Sequence, residues 1–127
     1  MRRLSLCLIV LLCMSFCGCS SNNPEPLIAG KYELEKATGA TAPYLLLRGN
    51  NGFIFNYSNF SSYFNQGTYK IEDNTLILTT ADEAFTYTFQ IIDGNLYFNL
   101  KQSSKIIECK GEPAIEDGAK FVLLKDE

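Results

Sequence analysis

From Gly30 onward, apolar and polar residues alternate in short segments with a period of two, broken by turn residues. That spacing, with a turn roughly every 8–12 residues, is the pattern of an all-β sandwich or barrel. Tyr32 and Leu34 alternate with Lys31, Glu33 and Glu35, which predicts a half-buried strand with its charges outward. Tyr44 to Arg48 is a more continuous apolar run that stops at Gly49-Asn50-Asn51-Gly52. Phe53, Phe55 and Tyr57 share the next face, opposite Asn56 and Ser58. Gly67 opens a strand with Tyr69 and Ile71 inward, and Asp73-Asn74 connects it to Thr75–Thr80, where Leu76 and Leu78 point one way.

The clearest alternation lies in 84–92, with Phe85, Tyr87, Phe89 and Ile91 set against Thr86, Thr88 and Gln90. Asp93-Gly94 follows, a dipeptide suited to the positive φ values of a type I′ turn. Leu96, Phe98 and Leu100 then alternate with Tyr97, Asn99 and Lys101, so 84–101 reads as a hairpin. Lys105–Lys110 and Lys120–Lys125 read as the last two strands, separated by a loop from Gly111 to Ala119. No segment sustains helical spacing. Roughly eight to nine strands joined by short loops predict an all-β fold, an antiparallel up-and-down β-barrel that closes on itself and so leaves no exposed edge. A β-sandwich is the alternative.

Composition agrees with one folded domain. Of 127 residues, 46% are hydrophobic and 20% charged, far from the signature of disorder. There is no histidine, which removes His-based triads and His-metal sites. No Gly-rich phosphate loop is present, and the acidic pairs Asp82-Glu83 and Glu116-Asp117 lack the spaced oxygen ligands of an EF-hand. We therefore expect no catalytic residues, no metal and no cofactor.

The first residues have a different character. Met1-Arg2-Arg3 precedes an apolar stretch from Leu4 to Phe16, a basic head and hydrophobic core typical of a secretory signal and shorter than the ~20 residues of a membrane span. Four of the five cysteines, Cys7, Cys13, Cys17 and Cys19, fall here, so they cannot form a disulfide framework in the domain. Phe16-Cys17-Gly18-Cys19 resembles the bacterial lipobox, with Phe16 where Leu is usual; the resemblance implies acylation of Cys19 after cleavage before it. Several acyl chains would anchor the protein lastingly, each buried methylene adding about 0.8 kcal/mol. The chain then divides into a signal peptide (1–18), a lipidated cysteine and polar tether (19–29) and the barrel (30–127). Without Arg2 and Arg3, nine basic residues face fourteen acidic ones, a balance that disfavours nucleic acid. Cys109, beside Ile107 on one face, reads as a buried small residue.

Gly30-Lys31-Tyr32 and the run Gly67-Thr68-Tyr69-Lys70-Ile71-Glu72-Asp73-Asn74-Thr75-Leu76-Ile77-Leu78, followed by aromatic hairpins, resemble the bacterial lipocalin-like (calycin-type) lipoproteins. The resemblance implies a barrel able to hold a small apolar molecule, with the first-strand tryptophan of true lipocalins replaced by Tyr32. Two regions emerge as binding candidates. The interior would be lined by Tyr32, Phe53, Phe55, Tyr69, Tyr87 and Phe89, either as packed core or as the wall of a site for a small hydrophobic or amphipathic ligand. The uncharged stretch Tyr57–Gln66 mixes rings with Ser and Asn as binding loops do, so Phe60, Tyr63 and Phe64 are candidates for docking a partner protein in the envelope. The alternative for that stretch is a further strand. The expected function is a non-enzymatic, lipid-anchored protein on the extracytoplasmic side of the bacterial cell envelope that binds a small apolar ligand. The alternative is an interaction or structural protein using the 58–66 loop.

Overall fold

A computed structural model describes residues 27–35, 42–58, 64–106 and 115–125. Its elements are β1 (Gly30–Leu34), β2 (Tyr44–Leu47), β3 (Gly52–Asn56), β4 (Asn65–Glu72), β5 (Thr75–Thr80), β6 (Thr86–Ile92), β7 (Asn95–Phe98) and β8 (Lys120–Leu123). Each strand pairs antiparallel with the next, and β8 returns to β1 with Tyr32 opposite Leu123 and Leu34 opposite Phe121. That last pairing makes the sheet a closed barrel and removes the sandwich alternative.

Local chemistry explains the tight turns. Asp73 and Asn74 sit at φ 47° and 61°, and Asp93 and Gly94 at 52° and 78°. Positive φ at both central residues matches the right-handed twist of the strands they join. The hairpin β4–β5 holds register from Gly67 opposite Thr80 to Glu72 opposite Thr75. Its neighbour β6–β7 runs from Phe89 opposite Phe98 to Ile92 opposite Asn95.

Three boundaries differ from the sequence pattern. β4 begins at Asn65 rather than at Gly67, because Asn65 and Gln66 pair with Phe55 and Ile54. β7 stops at Phe98, and Leu100 is exposed instead of continuing the inward row. Beyond Phe98 the chain turns back over β6. The Ser103 hydroxyl accepts from Thr88 N (2.8 Å) and the Ser104 hydroxyl from Thr86 N (2.9 Å), so serine side chains take the place of a neighbouring strand. This cover also buries Thr88, which alternation places on the wet face. Of the strand expected at 105–110, Lys105 and Ile106 are not in a strand and 107–110 lie outside the described residues. β7 pairs directly with β8, Leu96 opposite Phe121.

The inward rows meet at the centre. Tyr32, Leu45, Leu47, Phe53, Phe55, Leu76, Leu78, Tyr87, Phe89, Leu96, Phe98 and Phe121 are fully buried. Phe55 is the hub: its ring lies 5.1 Å from Tyr87, 5.5 Å from Tyr57 and 5.6 Å from Phe89, all edge-on, and 6.2 Å from Phe121. Phe89 stands edge-on to Phe98 (5.3 Å) and Phe121 (5.4 Å). Such arrangements set the positive edge of one ring against the negative face of the next, each adding about 0.5–1.5 kcal/mol beyond burial.

Candidate functional site: the two ends of the barrel

In an up-and-down barrel the connections alternate between ends. One end carries the segment entering β1, the short connections 48–51, 73–74 and 93–94, and the chain leaving β8. The opposite end carries all the longer connections, 35–43, 57–64, 81–85 and 99–119. The two ends therefore differ in the length of chain they carry, short turns at one and the longer stretches of sequence between strands, which we call the loop end, at the other.

The turn end is closed by tyrosines. The Tyr32 hydroxyl donates to the Ile28 carbonyl at 2.6 Å, tying the entering segment to β1, and Leu27 packs against the core. The Tyr69 hydroxyl donates to the Arg48 carbonyl at 3.3 Å, while Tyr69 N donates to Asn51 O at 2.8 Å. Burial, reinforced by the nearby Tyr69 hydroxyl, pushes the Tyr32 hydroxyl above its ordinary pKa of 10.0.

At the loop end, side chains shape the backbone. The Thr80 hydroxyl donates to Asp82 Oδ1 (2.6 Å) and accepts from Phe85 N (3.1 Å), and the same carboxylate oxygen accepts from Ala84 N (3.1 Å). These bonds hold Glu83 at φ 60°, a left-handed conformation unusual for glutamate. Asp117 Oδ1 accepts from Leu100 N at 3.0 Å and ties the two arms of the 99–119 connection together. Beside it, a surface groove of about 530 Å³ runs between Leu34, Glu35 and residues 116–120, with Lys120 paired to Glu35 at 3.3 Å.

Of the six interior candidates, Tyr32, Phe53, Phe55, Tyr87 and Phe89 are buried in the barrel, and Tyr69 is half-buried at its turn end. The Phe55 ring touches both Tyr87 and Phe89. Phe64 is described and is 58% exposed, immediately before β4. Phe60 and Tyr63 lie outside the described residues, as do Cys19 and Cys109. Some interior residues escape the sequence reading, Ile115 of the expected 111–119 loop among them. Phe121 sits in a four-residue strand too short for alternation to show which face is inward. Asn65, buried and polar, accepts the Tyr87 hydroxyl, a pairing that only the register of β3, β4 and their neighbours creates. Among the described residues, no group of three or more Cys, Asp or Glu side chains converges as a metal site would require.

Fold and site together define a small closed eight-stranded up-and-down barrel with an aromatic core and loops gathered at one end. Comparison with protein-family models, curated proteins and solved structures finds no match.

Proposed function

We propose that this chain is a lipid-anchored, non-catalytic protein of the bacterial cell envelope, lipocalin-like in design, that recognises a partner protein with the loop end of its barrel. The observation that carries the reading is the asymmetry of the two ends. The tether from Cys19 reaches the barrel at the turn end, where β1 starts, and every long connection lies at the other. Anchoring at Cys19 then turns the loops away from the bilayer, toward whatever passes in the envelope. Phe64, large and exposed within an uncharged Ser/Asn/aromatic stretch, supplies an apolar contact of the kind that dominates binding surfaces.

The test places a photo-crosslinking residue at Phe64 in the full chain, expressed in a bacterial host, with the same residue at Ile92 on the turn end as the comparison. A discrete adduct from position 64, absent from position 92 and lost in a Phe60→Ser/Tyr63→Ser background of unchanged melting temperature, supports recognition by the loops. Absence of any adduct at 64 defeats it.

A second reading keeps the barrel as carrier of a small hydrophobic or amphipathic molecule. Its support is a half-buried ring at the loop-end rim: Phe85 lies parallel to Tyr87 with centroids 6.5 Å apart, and Tyr57 is close by at 6.2 Å from Tyr87. A ligand would then bind above the packed rings rather than among them. Native mass spectrometry of gently extracted protein distinguishes the readings: a stoichiometric organic species favours the carrier, and an empty barrel counts against it.

A further inference from the structure

Six large apolar side chains among the described residues are substantially exposed, and four of them sit at the turn end: Ile28 (63%), Ile92 (46%), Leu124 (43%) and Ile71 (40%). Each has a separate structural origin. Ile28 precedes β1, Leu124 follows β8, Ile71 lies next to the last residue of β4, and Ile92 ends β6 beside the Asp93-Gly94 turn. Ile28 and Leu124 line one open groove of about 430 Å³ together with Gly30, Lys31, Leu123 and Lys125. Alternation places Ile71 on the inward row opposite the buried Leu76, yet this close to the turn it stays exposed instead of entering the core. For Ile28, Ile92 and Leu124 neither alternation nor turn chemistry requires an apolar residue, and polar ones serve as well.

We infer that the turn end rests on the lipid surface that holds the anchor, with Ile28, Ile71, Ile92 and Leu124 as the side chains that enter the interface. The inference depends on the acylation of Cys19 proposed above. Only Ser20 to Pro26 separate the anchored cysteine from the described chain at Leu27. Seven residues reach at most ~25 Å when extended, and a flexible chain of that length averages about 15 Å. The end that carries these side chains is the end the tether enters, so it is confined beside the bilayer. Confinement at this range corresponds to an effective concentration on the order of millimolar. A patch too weak to bind lipid from solution is occupied under that condition. At this end Lys70 pairs with Glu72 at 3.1 Å and Lys31 with Glu33 at 3.8 Å, and the turn carboxylates Asp73 and Asp93 match Arg48 and Lys125 in number. No net positive charge is left to require anionic lipid, so a zwitterionic bilayer serves as the test surface.

The absence of tryptophan from the chain provides the probe. Ile92→Trp and, separately, Ile71→Trp place a single indole at the turn end of the full-length protein; Phe64→Trp places one at the loop end. Each variant is purified from the membrane and reconstituted into vesicles of phosphatidylcholine with or without bromine on the acyl chains. The mass of the N-terminal peptide reports acylation of Cys19 in the same samples. Residues at an interfacial depth of about 5–10 Å are reached by brominated chains, so emission from positions 92 and 71 should fall by about half while that from 64 is unchanged. Acylated protein with equal emission from 92 and 71 in both vesicle types overturns the docking and leaves the anchor standing. Emission that shifts with protein concentration and not with lipid assigns the patch to a second copy of the chain and likewise overturns it. An unmodified Cys19 defeats the anchor and this inference together.

Discussion

The Tyr87 hydroxyl donates a 3.0 Å hydrogen bond to Asn65 Oδ1, joining β6 to β4 inside the barrel although β5 lies between them in the sheet. Both residues are buried, so the bond is made out of reach of water.

Tyr87→Phe removes the donor and leaves the Asn65 oxygen buried without it. We expect a loss of about 1–3 kcal/mol, the usual cost of stranding one member of a buried pair. Asn65→Ala should cost a similar amount, and the double variant less than the two added together. Urea unfolding of the four proteins measures the coupling; strict additivity would show that the bond carries no energy of its own.

Gly67 lies in the β4–β5 ladder, opposite Thr80. A Cβ added there would fall on the Thr79 carbonyl oxygen and within 2.8 Å of Thr80 Cα and 2.9 Å of Ala81 N. These are backbone atoms held by the ladder and cannot swing aside, so Gly67→Ala must open the hairpin. The expected cost is about 3 kcal/mol or more, at the severe end for single substitutions. Gly49→Ala, with open space around the new methyl, is the control and should stay within about 0.5 kcal/mol. Comparing the two denaturation midpoints isolates the steric effect from the general cost of replacing glycine.

Phe55 contacts Tyr57, Tyr87, Phe89, Phe98 and Phe121 at once. Phe55→Ala should lower stability by about 3–5 kcal/mol, since a close-packed ring cluster relaxes only partly around the space left behind. Tyr69→Phe, at the rim and with a 3.3 Å bond near solvent, should lose less than about 1 kcal/mol. Calorimetric unfolding checks the contrast. A small effect at Phe55 would mean that the interior is loosely filled and would revive a ligand between the rings.

Stability should also fall in alkali. Tyr32 has a folded pKa above its ordinary 10.0 because burial, and then the charge of Tyr69, oppose the phenolate. The unfolded chain therefore releases this proton first as pH rises. The contribution of the neutral hydroxyl is complete below about pH 10 and declines as pH climbs from there through the folded value. Melting temperatures of the parent and Tyr32→Phe proteins, followed from neutral pH to pH 11, should show a steeper alkaline decline in the parent. Parallel curves would refute the assignment.

The alternation of Phe85, Tyr87, Phe89 and Ile91, the Asp73-Asn74 and Asp93-Gly94 turns, and the identity of most inward rings were legible in the chain alone. These properties are local: side chains alternate across a strand whatever lies beside it, and a two-residue turn is specified by its own φ preferences. Ladder boundaries were less legible. Leu100 continues the apolar rhythm, yet the chain leaves the sheet after Phe98 because Ser103 and Ser104 take over the β6 edge, a competition decided by residues several positions away.

What the sequence by itself determined is therefore the strand content, the antiparallel order and the aromatic character of the inside. Only the tertiary structure decided that β8 meets β1, that Phe121 completes the ring cluster, that Asn65 answers Tyr87, and that Ile28, Ile71, Ile92 and Leu124 gather at the end opposite the long loops. Closure brings together residues far apart in the chain, and no period-two pattern records which partner a strand will find across that distance.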